Sequence, residues 1–386
     1  MVGVKRHEFK EETMFIHAAD IHLGFKQYGS DQREQDFFDT FLKFAERVRD
    51  LKPDFTIIAG DLFNSRNINP HVFSRASEIL DVIPGPIVCV EGNHDRQLAE
   101  SFTWMQFLAQ QGKIILLSPR WKDDPFAEYD GERGFWVKIG DQVVKGMKYM
   151  GSSTKESLKR LPLEEDDILI LHTGVVGIDI HVPAFVTKDD LISLPPKYIA
   201  LGHFHKPFAL GKKVYNPGSL ETNSFRETHE KGFIINDGTV RRETIKTRPF
   251  VDKEVYVTGL ETVDELEGAL MFDHPGAVVQ IKIRGVMEID RNLFSFKELQ
   301  ENKGDALIFR IVDQSYAPSQ RTVVVDAQSR DDIEWEVFKQ LAGDEGLAKF
   351  ALELMEFLKG KPEPDQVIER MTKYAVESDL IPSKGG

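Results

Sequence analysis

Five short apolar runs, each ending at residues able to bind a metal ion, constrain the fold of this chain most strongly. The runs have the length and composition of buried strands and cover residues 14–19, 54–59, 87–90, 166–171 and 198–201. The first three alternate with amphipathic stretches of helical periodicity, at residues 33–50, 70–82 and 99–110. This alternation predicts an α/β sheet with helices outside it.

The residues that follow the runs form five blocks rich in carboxylate, imidazole and amide groups. The blocks are Asp20-Ile21-His22, Gly60-Asp61-Leu62-Phe63, Gly92-Asn93-His94-Asp95, His172 and Gly202-His203-Phe204-His205. Open α/β sheets place their sites at the carboxyl ends of strands, so we expect the blocks to meet at one site. A single Gly-Asp pair is more often an ordinary turn, so the inference depends on the number and order of the blocks.

The donor atoms of these blocks indicate two divalent cations. Carboxylate, imidazole and amide ligands without cysteine favour Mn²⁺, Zn²⁺ or Fe²⁺ over a thiolate site. Seven candidate ligands are too many for one ion but suit two ions that share a carboxylate; they are Asp20, His22, Asp61, Asn93, His172, His203 and His205. Two ions about 3.5–4 Å apart commonly hydrolyse phosphate esters. We expect His94 to protonate the leaving group as a general acid and Asp95 to orient it.

The other histidines and the cysteine have a simpler interpretation. His17 lies within the first apolar run and is expected to be a hydrogen-bonded core residue, and His7, His71, His181, His229 and His274 are also interpreted as structural. The only cysteine, Cys89, is expected to be a buried thiol, so no intramolecular disulfide can form.

Composition restricts the class of protein. The chain has 386 residues, 41 % of them apolar, which predicts a globular protein of two or three domains. Its net charge of −14 argues against a generally basic nucleic-acid binder. DNA remains possible as a substrate, because metal ions and local basic clusters can contact phosphates. The clusters, each with a solvated surface as the alternative, are Lys145 and Lys148; Lys155, Lys159 and Arg160; Lys212 and Lys213; and Arg241, Arg242, Lys246 and Arg248.

Strand-like hairpins at residues 134–147 and 231–245 extend the sheet pattern to a two-sheet β-sandwich flanked by helices. A boundary is expected near Arg248-Pro249. We therefore predict a loose N-terminal extension (1–13), a catalytic domain (14–248), a small α+β cap domain (249–330) and C-terminal helices (331–386). The chain lacks an apolar run of the roughly 18 residues that a membrane span requires and a signal-peptide core, so we expect a cytoplasmic, intracellular protein.

Further motifs narrow the interpretation. They are Leu23-Gly24-Phe25, Gln32-Arg33-Glu34, Gly146-Met147-Lys148-Tyr149-Met150, Lys206 after the last ligand block, Tyr215-Asn216-Pro217-Gly218-Ser219-Leu220-Glu221 and Arg248-Pro249-Phe250. With the ligand blocks, they resemble the calcineurin-like metallophosphoesterases. Within these, residues 14–325 resemble the meiotic recombination eleven (SbcD) family of DNA double-strand-break repair nucleases, of the archaeal type.

The resemblance implies a role for each ligand. Asp20, His22 and His205 would hold one Mn²⁺, and Asn93, His172 and His203 would hold the other. Asp61 would bridge the two ions, and His94 would be the catalytic histidine. The implied activities are 3′→5′ exonuclease on duplex ends and endonuclease on single-stranded or hairpin DNA.

The resemblance also implies partners and a location at the nucleoid. The cap domain would contact DNA, and the C-terminal helices would bind an SMC-like ABC ATPase or else pack on this chain. The family forms homodimers through helices, for which residues 70–82 and 99–110 are candidates here. Phe102, Met105 and Phe107 would supply that contact or belong to the core instead.

The chain departs from the family pattern near the site. Asn64 stands where many members have a histidine that positions the phosphate for exonuclease cleavage, and Phe25 stands where some have tyrosine. Thr222-Asn223 replaces an Arg-aromatic pair. Asparagine cannot carry the proton of an imidazolium, so we expect weaker exonuclease action with endonuclease action retained. Candidate substrate-binding residues are Phe25, Asn64 and Arg66.

Three alternatives stay open. The first is a general phosphoesterase acting on small phosphodiesters or phosphoproteins, although such an enzyme needs neither the cap nor the C-terminal helices. The second is a scaffold that has lost its metals, although all seven ligands are present. The third is a subunit that tethers DNA ends and has weak exonuclease activity, which the presence of Asn64 favours.

Overall fold

The structure is a computed structural model. It describes residues 13–96, 102–121, 124–259, 263–270, 274–287, 304–316, 335, 338–339, 342, 344–359, 362 and 364–377. Three expected features lie outside or largely outside the described residues: the N-terminal extension, a strand at 322–325 and a helix at 333–341.

Strands and helices alternate through the first half of the described chain. The strands are β1 (Phe15–Ala18), β2 (Phe55–Ile58), β3 (Ile87–Cys89), β4 (Ile115–Leu116), β5 (Trp136–Ile139), β6 (Gln142–Met147), β7 (Ile168–His172), β8 (Tyr198–Gly202), β9 (Phe208–Leu210), β10 (Val214–Asn216), β11 (Lys231–Asn236), β12 (Val240–Ile245), β13 (Phe250–Gly259), β14 (Val278–Met287) and β15 (Ile308–Asp313). The α-helices are α1 (Asp31–Leu51), α2 (Pro70–Leu80), α3 (Trp104–Gln110), α4 (Thr154–Leu158), α5 (Lys188–Ile192), α6 (Val263–Leu270), α7 (Glu345–Lys359) and α8 (Pro364–Glu377).

Two six-stranded sheets form the predicted sandwich. The first has the order β12-β11-β1-β2-β3-β4, and the second has the order β5-β6-β7-β8-β10-β9. Strands β1 to β4 are parallel, with Ala18 beside Ile58 and Ile58 beside Cys89. In the second sheet His172 lies beside Gly202. Because neighbouring strands end level, the residues that follow them emerge at one edge of each sheet.

The side chains of each strand alternate between two hydrophobic layers. Phe15 and Ile57 face the layer between the sheets, where they pack with Ile168 and Ile170 of the second sheet. Ile16 and its neighbours of the same parity face the helices instead. Both faces of the central strands are therefore buried, which explains why they are apolar runs without an alternating polar pattern.

Helix α1 shows how local sequence sets an element's bounds. Ser30 accepts a hydrogen bond from the backbone N–H of Arg33 and caps the start, and Lys52 in a left-handed conformation followed by Pro53 ends the helix. The apolar face predicted for this helix is buried, at Phe37, Phe41, Phe44, Ala45 and Val48. The prediction for this helix is confirmed.

Several aromatic side chains lie on or beside helices α2 and α3, and they differ in how exposed they are to solvent. Phe73 lies 5.3 Å from Trp104 and 5.1 Å from Phe107 between ring centroids. Phe102 is 52 % exposed and Phe107 is 38 % exposed. Met105 is fully buried on the helix face that packs on the core, so of the two alternatives given for this residue the structure supports the core.

The described residues fall into two compact units. One contains the described residues within 13–257, 263–285 and 304–314, and includes most of the three-stranded sheet β13-β14-β15. The other contains 258–259, 286–287 and the described residues from 315 onward. In this second unit Phe350 of α7 stacks on Tyr374 of α8 at 3.9 Å. The domain boundaries predicted from the sequence stay a prediction. Among the described residues there is no helix with the length and apolar character of a membrane span.

Candidate metal centre

The eight residues predicted for the site lie together at the ends of strands from both sheets. Asp20, Asp61 and the Asn93–His94 pair follow β1, β2 and β3, whereas His172 ends β7 and the His203–His205 pair follows β8. The ligand atoms of all of them except Asn93 form three groups, within each of which all atoms lie within 4.8 Å of one another: Asp20, His22 and His205; His22, Asp61 and His94; Asp61, His172 and His203.

Asp61 occupies the middle of the site. Its Oδ2 lies 3.4 Å from Nε2 of His172 and 3.9 Å from Nε2 of His22. Its Oδ1 accepts a hydrogen bond of 2.9 Å from the backbone N–H of His94. One carboxylate therefore faces imidazoles of both outer groups, which is the arrangement that a shared ligand requires.

Nitrogen and oxygen atoms converge in each outer group. Nε2 of His22 lies 3.1 Å from Nε2 of His205. Nε2 of His172 lies 3.1 Å from the Asn93 side-chain oxygen and 3.2 Å from Nδ1 of His203. Two buried ring nitrogens, His22 Nδ1 and His203 Nε2, have no hydrogen-bond partner among the described residues. Converging imidazole, carboxylate and amide donors fit divalent cations such as Mn²⁺, Zn²⁺ or Fe²⁺.

The glycines of the blocks allow this close approach. A Cβ on Gly92 would lie 2.0 Å from Oδ1 of Asp61, and a Cβ on Gly202 would lie 1.9 Å from the Ala59 carbonyl oxygen and 2.8 Å from Nδ1 of His172. Any side chain at either position would displace a ligand or the backbone that supports it. The glycines before Asn93 and His203 are therefore part of the site's geometry.

Four candidate ligands have a backbone conformation that L-residues rarely adopt. Asp20, His22, Asp61 and His203 have φ values of 53°, 54°, 51° and 97°. Such conformations cost of order 1–3 kcal/mol each and persist only where the surrounding structure enforces them. Their concentration in this site indicates that the fold holds these side chains in place at an energetic cost.

The electrostatics of the site favour bound positive charge. Burial alone would lower the pKa of His172, but the carboxylates of Asp61 and Asp20 raise it to about 9. Burial works to raise the pKa of Asp61, yet the adjacent His172 and His22 rings hold it well below its usual range. Burial raises the pKa of Asp20 to about 6. The buried carboxylates of Asp20 and Asp61 therefore need a positive charge beside them.

His94 differs from the other histidines of the site in being exposed. Its Nδ1 lies 2.7 Å from the backbone carbonyl oxygen of Asn64, and its ring meets the His22 ring edge-on at 5.0 Å. A carbonyl can only accept, so Nδ1 carries the proton and Nε2 is left to exchange a proton with a bound molecule.

Asp95 does not orient His94, in contrast to the expectation from their adjacency in sequence. Its carboxylate accepts hydrogen bonds from the backbone N–H groups of Leu62, Phe63 and Gly92. It therefore joins the loops after β2 and β3, and the backbone of Asn64 orients His94 instead. Adjacent residues in this tight turn point in different directions, which the sequence alone does not reveal.

The candidate substrate-binding residues lie in two loops beside the site. Phe25 follows His22 and is half-buried, with its ring 5.4 Å from that of Phe37. Asn64 and Arg66 are both partly exposed in the loop that leads from β2 to α2. The structure places these residues around the site, and their contact with substrate stays a prediction.

His17 is the core residue that the sequence predicts. Its ring nitrogens lie 3.0 Å from the Tyr198 hydroxyl and 3.0 Å from the Leu201 carbonyl oxygen, and burial lowers its pKa to about 3. His229 also has a structural contact, because its Nε2 lies 2.6 Å from the carbonyl oxygen of His205.

Sequence reasoning missed the polar residues that support His205. Glu227 contacts its ring, and Lys231 contacts Glu227 in turn. Glu227 lies in a loop outside every ligand block, and no local pattern distinguishes it from other acidic loop residues. Asn216, which also supports this region, lies in a motif that the sequence did single out.

Comparison with known proteins agrees with this geometry. Residues 13–207 match the family model of calcineurin-like phosphoesterases. The DNA double-strand break repair protein Mre11 of Archaeoglobus fulgidus is 26 % identical, with 96 % of this chain and 86 % of that protein covered.

Two more proteins of the same name are similar. That of Sulfurisphaera tokodaii is 25 % identical, with 95 % of this chain and 98 % of that protein covered. That of Methanocaldococcus jannaschii is 30 % identical, with 63 % of this chain and 69 % of that protein covered. A matched site domain and relatives that extend over nearly the whole chain lead to one assignment: the chain belongs to the calcineurin-like phosphoesterases and, within them, to the Mre11 family.

Proposed function

We propose that this chain is a Mn²⁺-dependent DNA nuclease that acts in double-strand-break repair. The observation that carries the proposal is the position of Asp61 between two groups of imidazole ligands, with the exposed His94 beside them. Membership of a phosphoesterase family supports phosphodiester hydrolysis as the reaction. The names of the relatives support DNA as the substrate and an intracellular site of action, in the cytoplasm or at the nucleoid.

Each of the two outer ligand groups would hold one of two Mn²⁺ ions. Asp20, His22 and His205 form the first set, Asn93, His172 and His203 form the second, and Asp61 is shared. When bound, two divalent ions supply Lewis acidity to the phosphate and lower the pKa of water. The chain's own contribution is to fix these side chains in position, through strand register, glycine packing and the hydrogen bonds to Asp95.

His94 would serve as the proton donor to the leaving alkoxide. Because the Asn64 carbonyl keeps one proton on Nδ1, Nε2 of the doubly protonated ring is the atom that gives the proton. General acid catalysis of this kind typically contributes ~10²–10⁴-fold to the rate. Because the contact uses the backbone of Asn64, it is independent of which side chain stands at that position.

The finer activities follow the family resemblance. We propose 3′→5′ exonuclease action on duplex ends, weakened by Asn64, and endonuclease action on single-stranded or hairpin DNA.

Exposed Phe102 and Phe107 support a homodimer contact at α2 and α3. Helices α7 and α8 would bind an SMC-like ABC ATPase partner, since they expose apolar side chains: Leu347, Leu358, Ile368 and Met371.

A DNA end-tethering subunit with weak exonuclease action is the second candidate, favoured by Asn64. A general phosphoesterase for small phosphodiesters would have the same metal site. The metal-free scaffold has less support, because the candidate ligands converge in three compact groups.

The deciding experiment measures cleavage of end-labelled duplex and hairpin DNA by the full chain with Mn²⁺, Mg²⁺ or EDTA. We expect Mn²⁺-dependent cutting that is lost in Asp61→Ala and kept in Asp50→Ala, whose side chain is exposed. Hydrolysis of a chromogenic phosphodiester without any DNA cleavage would support the general phosphoesterase instead. Binding of DNA ends without any hydrolysis would support the tethering role.

A further inference from the structure

The backbone of His205 is held by three neighbours. The Asn216 side-chain amide donates to the carbonyl oxygens of the residues before and after His205, at 2.7 and 2.9 Å. The His205 carbonyl itself accepts from the backbone N–H of Ser219 at 3.1 Å and from Nε2 of His229 at 2.6 Å. These contacts fix the main chain but leave rotation of the imidazole ring undetermined.

Glu227 determines the orientation of that ring. Its Oε1 lies 2.7 Å from Nδ1 of His205. A carboxylate accepts, so Nδ1 carries the proton and Nε2 keeps its lone pair. Nε2 is the atom that faces His22 at 3.1 Å and belongs to the ligand group with Asp20. A metal ion requires such an unprotonated, correctly directed nitrogen.

Lys231 holds Glu227 in turn. Its ammonium contacts the other carboxylate oxygen, Oε2, and lies 3.0 Å from the Ser219 hydroxyl. The Lys231 side chain is 1 % exposed, so the pair is buried. A buried ammonium is tolerated only when paired, and here its charge offsets that of Glu227. The pair therefore orients the His205 ring and adds no net charge to the site.

The other buried histidines of the ligand groups are supported differently. Nδ1 of His172 lies 2.8 Å from the Ala59 carbonyl oxygen, so a main-chain atom holds this ring. Nδ1 of His203 lies 3.2 Å from Nε2 of His172, and among the described residues no carboxylate is hydrogen-bonded to the His203 ring. A change at Glu227 should therefore affect the ligand group of His205 and leave the group of His172 and His203 intact.

We propose that Glu227 is a positioning residue that orients His205 as a metal ligand, and that the buried Lys231 fixes Glu227 for this purpose. The proposal rests on the two-metal function proposed above, since His205 must be a ligand for its orientation to matter. It predicts that loss of Glu227 weakens one of two bound ions selectively.

The test titrates metal-free full chain with Mn²⁺ and measures free Mn²⁺ by electron paramagnetic resonance. In Glu227→Ala we expect one of the two dissociation constants to rise roughly 10–100-fold and the other to stay unchanged. Glu227→Gln keeps an oxygen that can accept from Nδ1, so it should lose less affinity. The exposed Glu230→Gln, three residues away, should match the wild type.

Circular dichroism of the metal-free proteins identifies any variant that fails to fold. If Glu227→Ala does not fold, Glu227→Gln decides the question by the same titration. In folded variants, the positioning role is overturned if the affinity for both Mn²⁺ ions falls equally. It is also overturned if neither affinity changes.

The same titration distinguishes this proposal from the proposed function. A wild type that binds two Mn²⁺ and cuts DNA, beside a Glu227→Ala that binds both ions equally well, would refute only the positioning role. A wild type that binds no Mn²⁺ would refute both.

Discussion

The backbone and the side chain of Asn64 have separate roles in this site. Its backbone carbonyl accepts from His94, and its backbone N–H donates to the Leu23 carbonyl at 3.0 Å. Its side chain is free to vary without disturbing either contact. A substitution at this position therefore tests the contribution of the side chain alone.

We predict that Asn64→His raises exonuclease action on duplex ends relative to hairpin cleavage. A protonated imidazole makes a charge-assisted hydrogen bond to phosphate, worth about 1.5–3 kcal/mol. We therefore expect at least a ~tenfold increase in the ratio of the two rates, measured on end-labelled DNA. Asn67→His, an exposed change in the same loop, is the control. An unchanged ratio would show that position 64 does not determine the substrate preference.

His17 makes stability depend on pH. Its pKa is about 3 in the fold and 6.5 in the unfolded chain, because burial disfavours its charged form. Below pH 6.5 the unfolded chain takes up a proton that the folded protein excludes, so stability falls as pH is lowered from 6.5 towards 3. At pH 5 the loss from this residue is about 2 kcal/mol.

His17→Gln retains a donor and an acceptor but cannot titrate. We predict that its stability deficit relative to wild type at pH 7 shrinks by about 2 kcal/mol at pH 5, as measured by urea unfolding of metal-free protein. His181→Gln, an exposed change, should keep a constant difference. A constant deficit for His17→Gln would contradict the prediction.

Helix α1 is joined to the rest of its unit by a buried ionic network. Arg33 is fully buried and donates to Asp36 at 2.6 Å and to Glu221 at 3.1 Å. Asp36 also accepts two hydrogen bonds from Arg248, whose guanidinium donates to the Gly276 carbonyl oxygen at 2.5 Å. The motifs around Arg33, Glu221 and Arg248, far apart in sequence, thus meet in one network.

We predict that Asp36→Ala destabilises the fold by about 1.5–3 kcal/mol, because Arg33 and Arg248 lose their charged hydrogen bonds to Asp36 while Arg33 keeps Glu221 as a partner. The exposed pair of Arg47 and Glu243 offers a matched control, and Glu243→Ala should cost less than about 1 kcal/mol. Urea unfolding at pH 7 measures both. If the two variants lose the same free energy of unfolding, burial does not determine how much the network stabilises the fold.

The sequence predicts the strands and helices better than it predicts the contacts made by the loops that connect them. The sequence pattern of β1 to β3 and α1 predicts elements within a few residues of those observed, because burial on both faces or one face leaves a periodic signal. The ligand blocks were found for the same reason, since they lie directly after strands. Glu227 and the true partner of His94 escaped prediction, because both depend on how irregular loops pack.

The charge of the whole molecule limits how it can hold DNA. Many residues of the predicted basic clusters are engaged within the fold: Lys145 with Asp167, Lys155 with Asp190, Lys159 with Glu156, Arg241 with Asp237 and Arg248 with Asp36. Such pairs leave little positive charge for phosphates on a chain of net charge −14. Exposed Lys206, next to His205, is in contrast well placed beside the site.

We predict that the isolated chain binds DNA weakly, with a shallow dependence on salt. If only two or three phosphates are neutralised, log K against log salt should have a slope of about −2 to −3. Fluorescence anisotropy with hairpin DNA, Mn²⁺ and the His94→Asn variant, which should not cut, measures this slope. Lys206→Ala should reduce its magnitude by about 1, whereas Lys159→Ala should leave it unchanged, because that lysine is paired with Glu156. A slope of about −6 or steeper would mean that DNA displaces the internal ion pairs, so that the clusters form a binding surface after all.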